Sequence, residues 1–516
     1  MGIDTRSVRY GAMILTGANI VSQLLGFVYR MLLSRLIGAE GMGLFQLIFP
    51  FYSLALALCT SGICVAVSRL AAEYMALGNN AALKMLVRRA LTAFFGAFAV
   101  ISVAAGIFAA PIAEKFLGDE RTRLAVYVLI PVILFTGVEN IHKNYLYGTK
   151  EVNPPAFSDL MEQIVRMTAV VGLLKLFLPQ PDDRMLALIA VGMLICEIAS
   201  SSFLRFVYRR RVKRLTDGGA GDARMMKRIV GIAAPVSVTN LVNNIISSLI
   251  VILIPRMLTE SGLTQSQALG EFGVLFGMAM PLFNLPSALI VGLGLVMVPK
   301  LSENLATGNL TDLRHKISRC MLATSFAILP VLAVLVPLGD TLGWYMFGQR
   351  VDPAYLLPIA IGTALSIYMA ICGSILNGLG KQNHAAVNFL LGNAIELAMV
   401  VILVRMPELR MAGYMAAFVV STAVTFILNF RLVLKTCGLK AEWRRWFVGP
   451  LMASVLAGLV ARLAYLYLGE TLPDGLAVAG GIAVAAACYL VAAGAQGVGV
   501  GTAVGRRKRR FAAKKG

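Results

Sequence analysis

Charge is what this chain has least of. Only 14% of its 516 residues are Asp, Glu, Lys or Arg, against about 25% in an ordinary soluble domain. At the same time 58% are hydrophobic and the mean hydropathy is +0.78. No aqueous fold hides that much apolar surface, which excludes a soluble enzyme or binding module. Long polar loops are missing too, so no soluble domain fits between the apolar stretches. There is no GxxxxGK[ST] for a nucleotide and no HExxH for a metal, so neither a nucleotide-driven pump nor a metalloenzyme is indicated. The three histidines, His142, His315 and His384, fall at expected loops or helix ends and read as interfacial polar residues. Seven cysteines, an odd number without a CxxC pair, give neither a disulfide framework nor a zinc site. They read as small packing residues.

Long apolar runs are abundant. Stretches of the roughly 20 residues needed to cross the hydrocarbon lie near 10–37, 44–72, 88–112, 124–147, 155–178, 185–208, 229–255, 270–299, 317–339, 354–377, 384–404, 411–434, 446–468 and 474–499. They are continuously apolar, without the alternation of a barrel strand, and a helix satisfies its own backbone polar groups in lipid. The expected fold is all-α: a polytopic membrane protein of about fourteen transmembrane helices.

A net charge of +21 raises nucleic acid as a partner, and its placement excludes that reading. With the N-terminus inside, most cations fall on one side: Arg6 and Arg9, Arg69 to Arg89, Lys143 and Lys150, the run Arg205–Arg228, Lys300 to Arg319, Lys381, Arg431–Arg445, and a tail from Arg506. This is the positive-inside pattern of an inner-membrane-type protein with both termini cytoplasmic. The tail RRKRR reads as a topology anchor with some attraction for anionic membrane lipid.

The chain also repeats itself. A shift of 231 sets LFQLIFPFYSLALALCTSGICVAVSRL (44–70) on LFGMAMPLFNLPSALIVGLGLVMVPKL (275–301), matching Pro50 with Pro281. At a shift of 230, GNNAALKMLVRRA (78–90) sets on GNLTDLRHKISRC (308–320), and Leu146, Gly148, Asn153 and Ala156 meet Leu376, Gly378, Asn383 and Ala386. Six helices separate the copies, so they share one orientation in the membrane. The expected organisation is an N-lobe of helices 1–6 (1–208), a basic linker (209–228), a C-lobe of helices 7–12 (229–437), two extra helices (438–499) and a basic tail (500–516). A Gly-rich linker of this length lets lobes rock.

Three patches, GAMILTGANIVSQLLGFVYRMLLSRLIGAEGMGLFQLIFPFY (11–52), TSGICVAVSRLAAEY (60–74) and PLFNLPSALIVGLGLVMVPKLSENLATGN (281–309), carry a resemblance. The chain resembles the multidrug, oligosaccharidyl-lipid and polysaccharide exporter superfamily, most closely its stage V sporulation protein B branch. Twelve helices plus an extra pair is also similar to the MurJ-type lipid II flippases. The resemblance implies transfer of an undecaprenyl-diphosphate-linked sugar to the outer leaflet by alternating access, with no cofactor and no ATP hydrolysis by this chain. The extra pair is then where the lipid tail rests. Where MurJ-type sequences tend to read S-R-x-L-G-F in helix 1, this chain reads SQLLGF (22–27). Gln23 replaces the arginine, and that arginine's role does not carry over.

The residues offer their own candidates. A diphosphate crossing the bilayer needs cations in a hydrated cavity, and an intramembrane charge is a functional candidate by default. Arg30 and Arg35 on helix 1, Arg166 on helix 5 and Arg256 on helix 7 qualify, and an arginine fork grips phosphate bidentately. Arg35 and Arg256 lie close enough to the outer interface to be merely snorkelling. Glu162 and Arg166 have the i,i+4 spacing of an ion pair; alternatively Glu162, Glu197 and Glu396 couple transport to protons, another cation or the membrane potential. Asn240, Asn243, Asn244 and Asn284 could face sugar hydroxyls or glue helices together. Pro50, Pro281 and Pro286 are expected inside helices, as bending points or as static kinks.

The residues and the resemblance together lead to a flippase, not an enzyme. Its substrate is a lipid-linked glycan for cell wall or spore cortex, with cell-wall synthesis machinery as a further partner. A flippase for a capsule or teichoic-acid unit is the nearest alternative, and a cation-coupled multidrug exporter the next.

Overall fold

The computed structural model describes residues 8–495 apart from 216–217, 220, 289–296, 299–300 and 306, with side chains from residue 14 onward. Every regular element among the described residues is a helix. The principal ones are α1 (Val8–Leu56), α2 (Gly62–Ala76), α3 (Asn80–Ile107), α4 (Arg123–Gly148), α5 (Asn153–Phe177), α6 (Asp182–Lys213), α7 (Met225–Glu260) and α8 (Gln265–Phe272), followed by α9 (Leu310–Phe347), α10 (Pro353–Gly378), α11 (Gln382–Leu403), α12 (Arg410–Cys437), α13 (Gly449–Gly469) and α14 (Asp474–Ala495).

Eleven spans among the described residues are long and apolar enough to cross a membrane. They differ from the expected fourteen at three places. The runs 10–37 and 44–72 merge into one span, Ile14–Ala76, of 63 residues. At 1.5 Å per residue that is roughly 95 Å, far more than the roughly 30 Å of hydrocarbon. The chain breaks helical geometry at Gly38, φ 70° and ψ −171°, a conformation glycine adopts without strain. The run 155–178 coincides with α5, which falls short because Asp159, Glu162, Arg166 and Lys175 interrupt it. The run 270–299 lies partly outside the described residues.

The repeat is realised in the backbone of its turns. Gly78 (φ 65°) and Gly308 (φ 68°) each end a helix in the left-handed region. The amide of Gly78 donates to Met75 and that of Asn79 to Tyr74; 230 residues on, Gly308 donates to Leu305 and Asn309 to Asn304. Asn79 then caps α3 by accepting from the Ala82 amide, and Asn309 caps α9 by accepting from the Asp312 amide. Lys150 and Gly380 share a positive φ, and the bonds Glu151 to Leu146 and Lys381 to Leu376 repeat at the same offset. Replacing either capping asparagine by alanine is expected to cost about 1 kcal/mol, read as a lower melting midpoint in detergent for N79A and N309A alike.

The described chain forms two compact units. One runs through Met278 and takes in Leu397–Tyr414; the other holds Ala279–Glu396 and everything described from Met415 on. The packing boundary and the repeat boundary therefore fall in different places, because α7 and α8 lie on the first-copy helices at glycine crossings. A Cβ at Gly43 would stand 2.1 Å from the Leu269 carbonyl oxygen, one at Gly273 2.0 Å from that of Ala39, and one at Gly62 2.1 Å from that of Ala233. The expected linker docks on the same unit: the Ala81 amide donates to the Gly218 carbonyl, and Arg228 holds Glu73 at 2.7 Å and Asp222 at 3.1 Å. The Tyr74 hydroxyl, 2.6 Å from Asp222, and Arg228 keep the Asp222 carboxyl below the ordinary aspartate range. This contribution is therefore present at neutral pH and lost only as the pH falls below that range.

In the second unit, Trp446 is fully buried in the wide turn Arg444–Val448 that leads into α13. Its indole donates to Ser318 at 2.9 Å, and its backbone carbonyl accepts from Ser325. Phe426, Phe430, Phe447 and Tyr368 stack around it. The extra helices α13 and α14 are thereby fixed to α9, while leucines along α13 such as Leu459 and Leu463 stay exposed for lipid.

Candidate functional site

Glu139 and Lys143 are four apart on α4, Glu162 and Arg166 four apart on α5, and each pair lies on one helix face. The helices α4, α5 and α6 turn these faces together. Lys143 Nζ lies 2.5 Å from Glu139, 2.6 Å from Asp159 and 3.5 Å from Glu162. Arg166 Nη2 donates to Glu162 and lies 3.8 Å from Glu197 of α6. The side chains of Glu139 and Glu197 are 2–3% exposed. A Ser158–Ser200 hydrogen bond of 2.7 Å ties α5 to α6 beside them.

Four carboxylates against two cations leave an excess of two negative charges if all are ionised. Buried charge of one sign is costly unless compensated. Glu197 Oε2 and Arg166 Nε have no hydrogen-bond partner among the described residues. Two groups of donors, Glu162–Cys196–Glu197 and Glu139–Asp159–Glu162, each bring their ligand atoms within 4.8 Å. Lys143 and Arg166 already stand in them as cations. The carboxylates thus outnumber the cations that hold them, and each donor group has one of those cations against it.

The second copy shows that the fold does not require these charges. At the 230 offset, Glu139, Lys143, Asp159 and Glu162 meet Met369, Gly373, Phe389 and Gly392, and Arg166 meets Glu396. Glu396 accepts from Ser421 at 3.0 Å, near the buried Asn393 and Thr425.

Of the other candidates, Arg30 is half-buried and within electrostatic reach of Arg166. The α1 face that bears it packs on α5, where a Cβ at Gly26 would be 3.8 Å from Gln163 Oε1. Gln23 and Arg35 are exposed on α1. Arg256 is exposed and donates to the Lys115 carbonyl at 2.9 Å. Asn244 lines a small cavity of about 180 Å³ with Gln46, Pro50 and Ser247 and donates to the Asn240 carbonyl. Asn243 is half-buried, and its side-chain oxygen has no hydrogen-bond partner among the described residues. Asn284 is exposed.

Pro50 lies inside α1, whose break is at Gly38. Pro281 sits in the first turn of the short helix Met280–Asn284. Pro286 is not in a helix: it occupies the two-residue turn that follows, and helical residues resume at 287.

Two further expectations are corrected. Lys143, read as a loop cation, and His142, read as interfacial, both lie within α4; His142 is 2% exposed, 2.7 Å from the Val138 carbonyl. Sequence reading missed Glu139, Lys143 and Asp159 as site residues. The i,i+4 spacing of Glu139 and Lys143 was the available signal.

The sequence profile of the polysaccharide biosynthesis protein family matches residues 8–305. The chain belongs to that family. It is 25% identical over 491 residues to the stage V sporulation protein B of Bacillus subtilis (strain 168), covering 93% of this chain and 94% of that protein. It is 23% identical over 431 residues to the lipid II flippase MurJ of the same organism, covering 77% of each. A solved structure, lipid II flippase MurJ in an inward closed conformation, shares the fold with a TM-score of 0.67 at 13% identity, covering 94% of this chain and 98% of that one. The family member thus has the relatives and the fold that its resemblance implied.

Proposed function

We propose that this family member is a flippase that carries an undecaprenyl-diphosphate-linked oligosaccharide from the inner to the outer leaflet of a bacterial plasma membrane by alternating access. The peptidoglycan precursor lipid II is its first substrate candidate. Both termini are cytoplasmic, and the 6, 6 and 2 helix division defines the lobes. The observation that carries this reading is the pair Arg30 and Arg166, two guanidinium groups on the adjacent helices α1 and α5, the first half-buried and the second held by carboxylates.

Such a pair matches the diphosphate of a polyprenyl carrier. Glu162 holds Arg166 until a phosphate oxygen competes for the same donors. A released Glu162 then raises the negative excess of the cluster, which favours entry of a positive charge beside it. Substrate binding and coupling thus share one set of side chains. Asn240, Asn243 and Asn244 supply amides for sugar hydroxyls.

R30A is expected to lower flipping at least ~100-fold, the loss typical of a charge-assisted contact to a buried anion, with the protein still in the membrane. Full transport by R30A would remove Arg30 from the site. A reconstituted assay that offers lipid II beside a capsule- or teichoic-acid-type polyprenyl glycan tests the substrate. Transport of the second alone would sink the lipid II reading and leave a flippase of the same class.

A further inference from the structure

A second basic site lies on the first unit, away from the network. Between α3, α4 and α6, at the end of the bundle that the charge pattern assigns to the cytoplasm, there is a crevice of about 520 Å³ lined by Arg88, Arg205 and Arg209. All three arginines are exposed. None has a carboxylate partner among the described residues, whereas Arg211 and Arg228 at the same end are paired with Glu151 and Glu73. No acidic side chain lines the crevice. Its floor is preformed: the Tyr208 hydroxyl donates to the Lys84 carbonyl at 3.3 Å, and its ring packs edge-on against His142 and Tyr145.

The repeat tells what kind of body belongs there. At the 230 offset, Arg88, Phe95 and Val138 correspond to Ser318, Ser325 and Tyr368. In the second unit those positions are covered by protein: Trp446 bonds both serines, and Phe447 packs on Tyr368. Among the described residues the first unit has the same groove without a covering segment, and with arginine where the other copy has serine. From the arginines the crevice runs past Leu91 to Phe95, which is 46% exposed, and further along α3 Val100 and Val103 are exposed too. Seven residues of helix, Arg88 to Phe95, rise roughly 10 Å, the step from a headgroup to its acyl chains.

We propose that this crevice binds one anionic phospholipid. Arg88, Arg205 and Arg209 hold the phosphate, and an acyl chain lies along Leu91 and Phe95, taking the place that Trp446 and Phe447 fill in the other copy. Basic pockets between membrane helices select anionic headgroups by roughly 1 kcal/mol, or about five-fold, per cation.

The test is native mass spectrometry of the purified full chain with phosphatidylglycerol against phosphatidylcholine. The triple variant R88Q/R205Q/R209Q is expected to lose roughly twenty-fold or more of the preference for phosphatidylglycerol. The control R89Q/R210Q/R214Q removes as much charge outside the crevice and is expected to keep most of it. T92W, which fills the crevice and leaves the arginines, is expected to lose bound lipid as well. Equal losses in the two triple variants, or parental binding by T92W, would show general surface attraction and overturn the proposal. So would complete displacement by millimolar inorganic phosphate, which would mark an ion site. Unchanged melting midpoints establish that each variant is folded.

Discussion

Replacing Arg166 by methionine is expected to abolish flipping and to weaken the fold, and the two effects separate. Arg166 is the cation shared by Glu162 and Glu197, so its loss leaves two carboxylates facing each other in the span. Breaking a buried pair by removing one partner costs about 3–5 kcal/mol, and R166M is expected to show a lower melting midpoint and poor yield. The neutral triple variant E162Q/R166M/E197Q removes the uncompensated charge together with the arginine. Replacing buried ion pairs with neutral groups of similar size is often harmless to stability, and the second copy already folds without this network. The triple variant is therefore expected to recover the parental midpoint and to remain inactive in the reconstituted assay. Recovered transport would reduce the network to a packing device. R166K keeps the charge but not the planar fork, and an intermediate rate is expected.

Gly43→Leu is the second large effect. The crossing of α1 with the Gln265–Ala279 segment allows backbone contact at Gly43 and Gly273, with no room for a Cβ at either. Close approach through small residues is how membrane helices gain packing contacts where lipid offers no hydrophobic drive. Polar contacts complete the closure on this side: Glu40 accepts from Ser266 at 2.5 Å, Gln265 donates to Asp119 at 2.8 Å, and Arg121 pairs with Glu40, Asp119 and Asp182. On the proposed topology this is the outer side, and it must open for the substrate to leave.

A leucine at position 43 holds the two segments apart. Driving a two-state equilibrium from one form to the other takes about 5.5 kcal/mol, within reach of a side chain forced against backbone together with the hydrogen bonds it displaces. The cysteine pair E40C/S266C is expected to cross-link readily in the parental background and at least ~10-fold less in G43L, with flipping lost in parallel. Unchanged cross-linking would mean that the crossing yields without opening.

The Gly43 crossing also shows where the sequence stops being legible. Helix content, membrane class and the repeat are local or one-dimensional properties, so hydropathy and self-alignment suffice. The Asn79 and Asn309 caps follow from a Gly-Asn pair before an apolar run. Ile14–Ala76 reads as two crossings because its length exceeds one bilayer and Gly38 stands between them. α5 was legible by its apolar residues, although its charges exclude it from a count based on hydropathy alone.

The charge network was half legible. Glu162 and Arg166 announce themselves because an ion pair inside a span is rare. Glu139 and Lys143 lie near a helix end, where hydropathy does not separate a buried cation from a loop cation. Only packing against α5 and α6 brings Lys143 onto Asp159 and Glu162. The same holds for Arg88, Arg205 and Arg209, which in sequence are three more cations on the basic side.

By itself the sequence determined that this chain is a helical membrane protein and that the segments 44–70 and 78–90 recur at 275–301 and 308–320. Hydrophobicity and spacing enforce those outcomes wherever the helices come to rest. Tertiary structure alone decided that α7 and α8 pack with the first copy, that four carboxylates and two cations share one site, and that one groove is filled by Trp446 while its counterpart is uncovered among the described residues. Each depends on which helix faces meet, and that is set by glycine crossings and side-chain volumes distant in the chain.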